Sequence, residues 1–222
     1  MQIEIKNIAK KFKKHQVLRD ICLSADSGCC IGILGSNGSG KSTLLSILAG
    51  IQNCDNGSFL CDGEDLLHNA CKRAEIVGYV PQGTPLIEEL SAKDNLLLWY
   101  TRDQMKKELE DGVLALLGIN DFLSVPVSKM SGGMKKRLSI GCAMSSHPPV
   151  LLLDEPTAAL DLVCKQKIAS YLRHYKENGG ILLLTTHDVM ELGLCDVWYI
   201  IQDGVLMPFS YDGDVQKLVE SL

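Results

Sequence analysis

An α/β fold built on a mixed, mainly parallel sheet is what the sequence predicts, from three observations. Short, nearly continuous apolar runs recur at CCIGILG from Cys29, VLLLD from Val150 and ILLLTT from Ile181, the pattern of strands buried on both faces. Helical patterns follow these runs, which is the strand–helix alternation of a parallel sheet. A glycine-rich loop, GSNGSGKST from Gly35, joins the first run to its helix. With 222 residues the chain can bury a sizeable core as a single unit, residues 1–222.

Taken in order, IEIKNI alternates as a half-buried strand, VLRDICLSA follows a charged turn, and CCIGILG is the first fully buried strand. KSTLLSILAG reads as a helix with Gly50 at its C-terminal end, and the Asp62-Gly63 pair marks a turn after a strand around Phe59. After IVGYVPQ the pattern becomes helical. SAKDNLLLWY opens with a Ser-x-x-Asp cap and MKKELEDGVLALLG repeats apolar residues at helical spacing, which predicts an inserted helical subdomain over about residues 83–145. VLLLD, a helix from Asp161 to about Glu177, ILLLTTH, a short helix and the hairpin VWYIIQDGVLMPF then restore the alternation.

Composition narrows the function. Lys and Arg total 22 against 27 Asp and Glu, and the cations form no strongly positive block, so nucleic acid is not the expected partner. Nine cysteines, an odd number without CxxC pairs or nearby His at ligand spacing, read as small apolar residues of a reducing cytosol. The start MQIEIKNIAKKF lacks the apolar stretch of a signal peptide, and VLLL and ILLL are too short to span a bilayer. The chain is expected to be soluble, with any membrane role resting on a partner.

Three motifs carry chemistry. Gly35, Ser36, Asn37, Gly38, Ser39, Gly40, Lys41 and Ser42 fit GxxxxGK[ST] between a buried strand and a helix. There, backbone N–H groups converge on phosphates, Lys41 reaches their oxygens, Ser42 can hold Mg²⁺ and Thr43 offers a further hydroxyl. Asp154 and Glu155 close VLLLDE at the C-terminal edge of a strand, where α/β sheets bind ligands. Asp154 suits Mg²⁺ through its water shell, and Glu155 suits a base that orients and deprotonates water. In MSGGMKKRLSI, Ser131 is a helix N-cap, Gly132 and Gly133 leave amides bare for an anion, and Met134, Leu138 and Cys142 form the buried stripe. Lys135, Lys136 and Arg137 lie mostly off that stripe, as a solvated face.

With these motifs in this order, the chain resembles the nucleotide-binding subunit of an ATP-binding-cassette transporter over essentially its whole length. VPQ with Gln82, AALD ending at Asp161 and TTHD with His187 match further motifs of that family. The resemblance implies a P-loop NTPase core with an N-terminal antiparallel β subdomain and the helical insert. It implies that Ser131, Gly132 and Gly133 close over the nucleotide held by a second copy or a related subunit, with two ATP at the interface. Gln82 would contact Mg²⁺ or the attacking water, His187 would polarise the terminal phosphate and position Glu155, and Asp161 would serve communication between subunits. Phe12 matches the aromatic that stacks on adenine; a lone Phe is more commonly core, and the lysines around Phe12 point to exposure.

MSGGM departs from the commoner LSGGQ, which puts the side-chain contacts of that Gln in doubt. SGGMKKRL lies nearer to the exporter-associated branch than to importers, whose form tends towards SGGQQQR, and the chain ends soon after its last hairpin. The expected function is ATP hydrolysis driving export through a separate transmembrane permease subunit, on the cytoplasmic face of the membrane. An importer subunit and a soluble ATP-driven clamp are the alternatives; the absence of sustained heptads argues against a clamp with coiled-coil arms. Leu86, Ile87, Trp99 and Tyr100 read equally as a docking surface for the membrane subunit and as core of the insert.

Overall fold

The computed structural model describes residues 1–158, 160–186 and 188–210. Strands β1 (Gln2–Phe12) and β2 (His15–Asp26) form a hairpin, and β3 (Cys30–Leu34) leads through the glycine loop into α1 (Lys41–Leu48). Then come β4 (Asn56–Cys61), β5 (Glu64–Asp65), α2 (Ala70–Ile76) and β6 (Val77–Val80). Helices α3 (Ala92–Leu96), α4 (Arg102–Asp111), α5 (Val113–Leu116) and α6 (Gly132–Ala143) separate β6 from β7 (Val150–Asp154). The described chain finishes with α7 (Leu162–Glu177), β8 (Ile181–Thr185), α8 (Val189–Leu192), β9 (Val197–Gln202) and β10 (Val205–Phe209).

Two sheets result. One is antiparallel in the order β2-β1-β4-β5, and the other runs β10-β9-β3-β8-β7-β6, parallel except for the β9–β10 pair. All five residues of β3, β7 and β8 are buried, as their unbroken apolar runs require. Their side chains alternate between two cores: Leu151, Leu153, Leu182 and Leu184 face the helices, whereas Val150, Leu152, Ile181 and Leu183 face α1 and the antiparallel sheet. Each such residue contributes about 1.5–3 kcal/mol by leaving water. No helix among the described residues is long and apolar enough to cross a membrane.

Local signals explain most element ends. Asp62 and Gly63 have φ of 48° and 85°, and Asp203 and Gly204 have 50° and 78°, so both Asp-Gly pairs make tight turns with two left-handed residues. Ser91 caps α3 by accepting from the Asp94 N–H, and Thr101 and Gln104 form a reciprocal box at the start of α4. The segment MKKELEDGVLALLG is two helices rather than one. The Glu108 carboxylate accepts from Val113 N–H at 2.9 Å, and a Cβ at Gly112 would lie 2.1 Å from Glu108 Oε2, so α4 ends at the glycine that makes room for this bond.

Among the four residues open to two readings, Tyr100 is core, 4% exposed, with its hydroxyl donating to the Gly141 carbonyl at 2.7 Å. Leu86 is partly buried, whereas Ile87 and Trp99 are exposed. A tight fit at the edge strand gives a test. A Cβ on Gly78 would come within 2.7 Å of the Pro148 ring and 3.0 Å of the Ala143 carbonyl oxygen. Gly78→Ala should lower the unfolding free energy by about 1–3 kcal/mol in a urea titration, and an unchanged midpoint would mean that the Pro148 loop gives way.

Candidate functional site

The loop Gly35–Gly40 is shaped by what surrounds it. Gly35 and Gly40 have φ of 148° and 110°, and a Cβ would lie 2.6 Å from Ser39 Oγ at the first and 2.9 Å from Leu18 at the second. Gly38, at φ 83°, meets nothing within 4 Å of an added Cβ; there the backbone conformation alone calls for glycine and the loop faces open space. Lys41 is 6% exposed and its Nζ donates to the carbonyls of Gly35 at 2.7 Å and Ser36 at 3.1 Å. Burial pulls its ammonium below the usual lysine range, while Glu155 and Asp154 oppose that shift.

The two carboxylates stand at the end of β7. Asp154 is 3% exposed and its Oδ1 accepts from the Thr185 hydroxyl at 2.6 Å. The N–H of Glu155 donates to Thr185 twice, to its carbonyl at 3.1 Å and its hydroxyl at 3.0 Å. Glu155 has φ 46°, an uncommon conformation for a residue with a side chain, which turns its carboxylate out of the strand. Gln82, just after β6, donates from Nε2 to Glu155 Oε2 at 3.0 Å.

Asn37, Gly38, Gly40, Lys41, Ser42, Thr43, Gln82 and Glu155 line one cavity of about 390 Å³, so segments far apart in sequence converge there. A second cavity of about 570 Å³ lies on the other side of the loop, between Ser36–Ser39, the start of β2 and the β9–β10 turn. Phe12 lines neither; it sits at the end of β1, 45% exposed, with Lys10 Nζ 5.3 Å from its ring centre. The hydroxyl of Ser42, the amide of Gln82 and the nearby carboxylate of Asp154 are hard oxygen donors that suit Mg²⁺. No group of three His, Cys, Asp or Glu side chains fit to hold a metal occurs among the described residues. That donor set matches an ion held partly by substrate phosphates and water. His187 lies outside the described residues.

Ser131, Gly132, Gly133 and Asp161 do not line the loop cavity. Ser131 caps α6, its Oγ accepting from Met134 N–H at 3.3 Å. Gly132 is open, but Gly133 is buried: a Cβ there would lie 2.4 Å from Cys164 Sγ, so this glycine also lets α6 press on the first turn of α7. Asp161 caps α7 through the Cys164 N–H at 2.9 Å, a bond that holds its carboxyl below the usual range.

The sequence misreads the basic triplet. Lys136 and Arg137 are 4% and 7% exposed, and α6 is buried well beyond the Met134–Leu138–Cys142 stripe. Lys135 is paired with Glu88 at 3.0 Å. Lys136 Nζ donates to the carbonyls of Pro81 at 2.8 Å and Gln82 at 2.9 Å. Arg137 donates to the Leu117 carbonyl at 2.8 Å and lies over the Phe122 ring, 4.8 Å from its centre. A triplet that continues into LSIGCA could have been flagged by the small and apolar residues on every side of the helix. Its acceptors, backbone carbonyls remote in sequence, leave no trace there.

A glycine loop on a buried strand, a Lys and Ser entering a helix, and two acids at the end of a strand two places along the same sheet define a nucleoside-triphosphate-binding α/β protein. The family model described as ABC transporter matches residues 18–158, and the chain belongs to that family. It is 34% identical over 221 residues to a probable ABC transporter ATP-binding protein of Azorhizobium caulinodans, covering 96% of this chain and 78% of the relative. It is 34% identical to the lipopolysaccharide export system ATP-binding protein LptB of Escherichia coli, covering 91% and 87%. It is also 35% identical to the Nod factor export ATP-binding protein I of Sinorhizobium fredii, covering 91% of this chain and 60% of the relative. A dimeric, post-hydrolysis ATP-binding cassette bound to ADP and Pi superposes with TM-score 0.84 at 25% identity, covering 94% of this chain and 98% of that one.

Thr185 offers a direct test of how the acids are held. Thr185→Val removes the donor to Asp154 and an acceptor of the Glu155 N–H, and should destabilise the fold by about 1–3 kcal/mol in chemical denaturation. Thr185→Ser, which keeps the hydroxyl and loses only the methyl, should lose less; a Val variant as stable as the wild type would mean that the hydroxyl does not hold the acids.

Proposed function

We propose that this chain binds ATP on the loop Gly35–Thr43, hydrolyses it, and so drives export through a separate membrane-spanning subunit. The observation that carries the hydrolytic reading is the 3.0 Å contact between Gln82 and Glu155 within the cavity that the loop also lines. It joins an amide that can orient water to a carboxylate that can take its proton, beside a buried lysine cation.

In this reading the amides of Asn37–Lys41 cradle phosphate and Lys41 neutralises its terminal oxygens. Ser42, Gln82 and Asp154 would hold Mg²⁺, which would supply neutralisation of phosphate charge. Glu155 orients and deprotonates the attacking water, with Gln82 setting its carboxylate and His187 at the terminal phosphate. Phe12 is exposed, as a stacking partner for adenine must be. Ser131, Gly132 and Gly133 close over the nucleotide of a second cassette, identical or related, and Asp161 lies at the same junction. Their place outside the loop cavity favours this action in trans, as does the likeness to a dimeric cassette. Residues 83–145 are proposed as the unit that meets the membrane subunit, with the exposed Ile87 and Trp99 as its contact and Tyr100 as core.

Export is favoured by the SGGMKKRL pattern and by relatives named for Nod factor export and lipopolysaccharide export. The chain would then work at the cytoplasmic face of the membrane, held there by its partner.

Glu155→Gln should keep ATP binding while turnover falls by about 10²–10⁴-fold, the usual loss for a positioned base. Its solution mass should move from monomer to dimer only with ATP; turnover at the wild-type rate would remove Glu155 from this role. Lys41→Ala should abolish tight ATP binding in equilibrium titration. Replacement of Ser131 should spare binding to the monomer and impair dimer formation, and a binding defect in the monomer would argue against action in trans.

A further inference from the structure

The three cations of α6 serve three different places, and only one reaches the nucleotide site. Lys135 pairs with Glu88 at the surface, and Arg137 ties α6 to the turn after α5. Lys136 lies five residues beyond Ser131, or about 7.5 Å along the helix axis, and projects to the end of β6. Its ammonium bonds to two successive carbonyls, those of Pro81 and Gln82, so it fixes the peptide plane from which the Gln82 side chain departs. Gln82 itself is exposed, so this backbone clamp and the bond from its Nε2 to Glu155 are what position it.

The segment after β6 has little other support. At its far end Asn95 holds both backbone groups of Ile87, accepting from its N–H at 2.9 Å and donating to its carbonyl at 3.1 Å. Between these two clamps the backbone bonds locally, from the Leu86 N–H to the Thr84 carbonyl at 2.8 Å. Burial pulls the Lys136 ammonium below the usual lysine range, while Asp154, Glu191 and Glu155 oppose that shift. Removing the ammonium would free the carbonyls of Pro81 and Gln82.

Resting on the reading of the site given above, we propose that Lys136 is a positioning residue that couples α6 to Gln82. Movement of Ser131–Gly133 against the partner's nucleotide is carried along α6 to the Pro81 and Gln82 carbonyls, and through Gln82 to Glu155. Capture of the other subunit's ATP thus sets the water-orienting pair in this chain's own site. Coupling through a rigid helix needs no displacement of Lys41 or the phosphate loop, so nucleotide affinity and turnover should separate.

The test uses the full chain, measuring steady-state ATP hydrolysis against ATP concentration for Lys136→Met and Lys136→Arg, alone and with Gln82→Ala. Lys136→Met should lower kcat by about ten-fold or more with KM within about two-fold, and Lys136→Arg should restore most of the rate. With Gln82→Ala present, Lys136→Met should cause no further loss, because the strut acts through that side chain. Wild-type kcat in Lys136→Met, full additivity with Gln82→Ala, or no rescue by Arg would each overturn the proposal. Lys136→Gln replaces the Met variant if the latter does not fold. Hydrogen exchange of the peptide over residues 80–86 reads the clamp without turnover: faster exchange in the Met variant, restored by Arg, supports it, and unchanged exchange overturns it. A wild-type chain that fails to hydrolyse ATP would sink the reading of the site, and exchange alone would then decide whether Lys136 holds the loop.

Discussion

Asp154 and Thr185 are direct partners in the β7–β8 pair, and a hydroxyl-to-carboxylate bond of 2.6 Å joins them at the point where both strands end. A slip of either strand by one residue would turn its side chain at this pair to the opposite face and send Leu153 or Leu184 into the wrong core. The same threonine also receives the Glu155 N–H, so the chain's exit from β7 is fixed by the strand beside it. Register in the buried sheet therefore decides where the acids stand, and the phosphate loop, one strand further along, is placed against them by the β3–β8 pairing.

That dependence explains what could be read from the chain alone. The strands, the glycine loop and the Asp-Gly turns are local: a run of apolar residues, a φ that only some residues adopt, a cap three residues from its donor. The convergence of Lys41, Gln82 and Glu155 on one cavity followed from an ordered set of motifs and not from any one of them. The failures have a common cause. Lys136 and Arg137 were expected in water because charged residues off an apolar stripe usually are, but their partners are carbonyls of Pro81, Gln82 and Leu117, which no side-chain pattern advertises. The break at Gly112 is hidden for the same reason, since the bond beside it runs from a backbone N–H to a glutamate side chain.

Gly133 shows how a motif can be right for more than one reason. Bare amides at a helix start explain Gly132, which is open, but Gly133 has Cys164 where a Cβ would be. The second glycine brings the starts of α6 and α7 into contact, and Ser131 and Asp161 cap these two helices side by side in the fold. Surfaces assigned to nucleotide closure and to communication between subunits are thus parts of one packed junction.

The backbone at Glu155 carries a further meaning. Its left-handed conformation is one that glycine adopts freely and glutamate only at a cost. A chain shaped only for robustness would place glycine there and keep the same turn. If Glu155 has the role proposed for it, a long acidic side chain at this position trades durability for reactivity, and an engineer seeking a hardier version of this protein should leave that residue as it is.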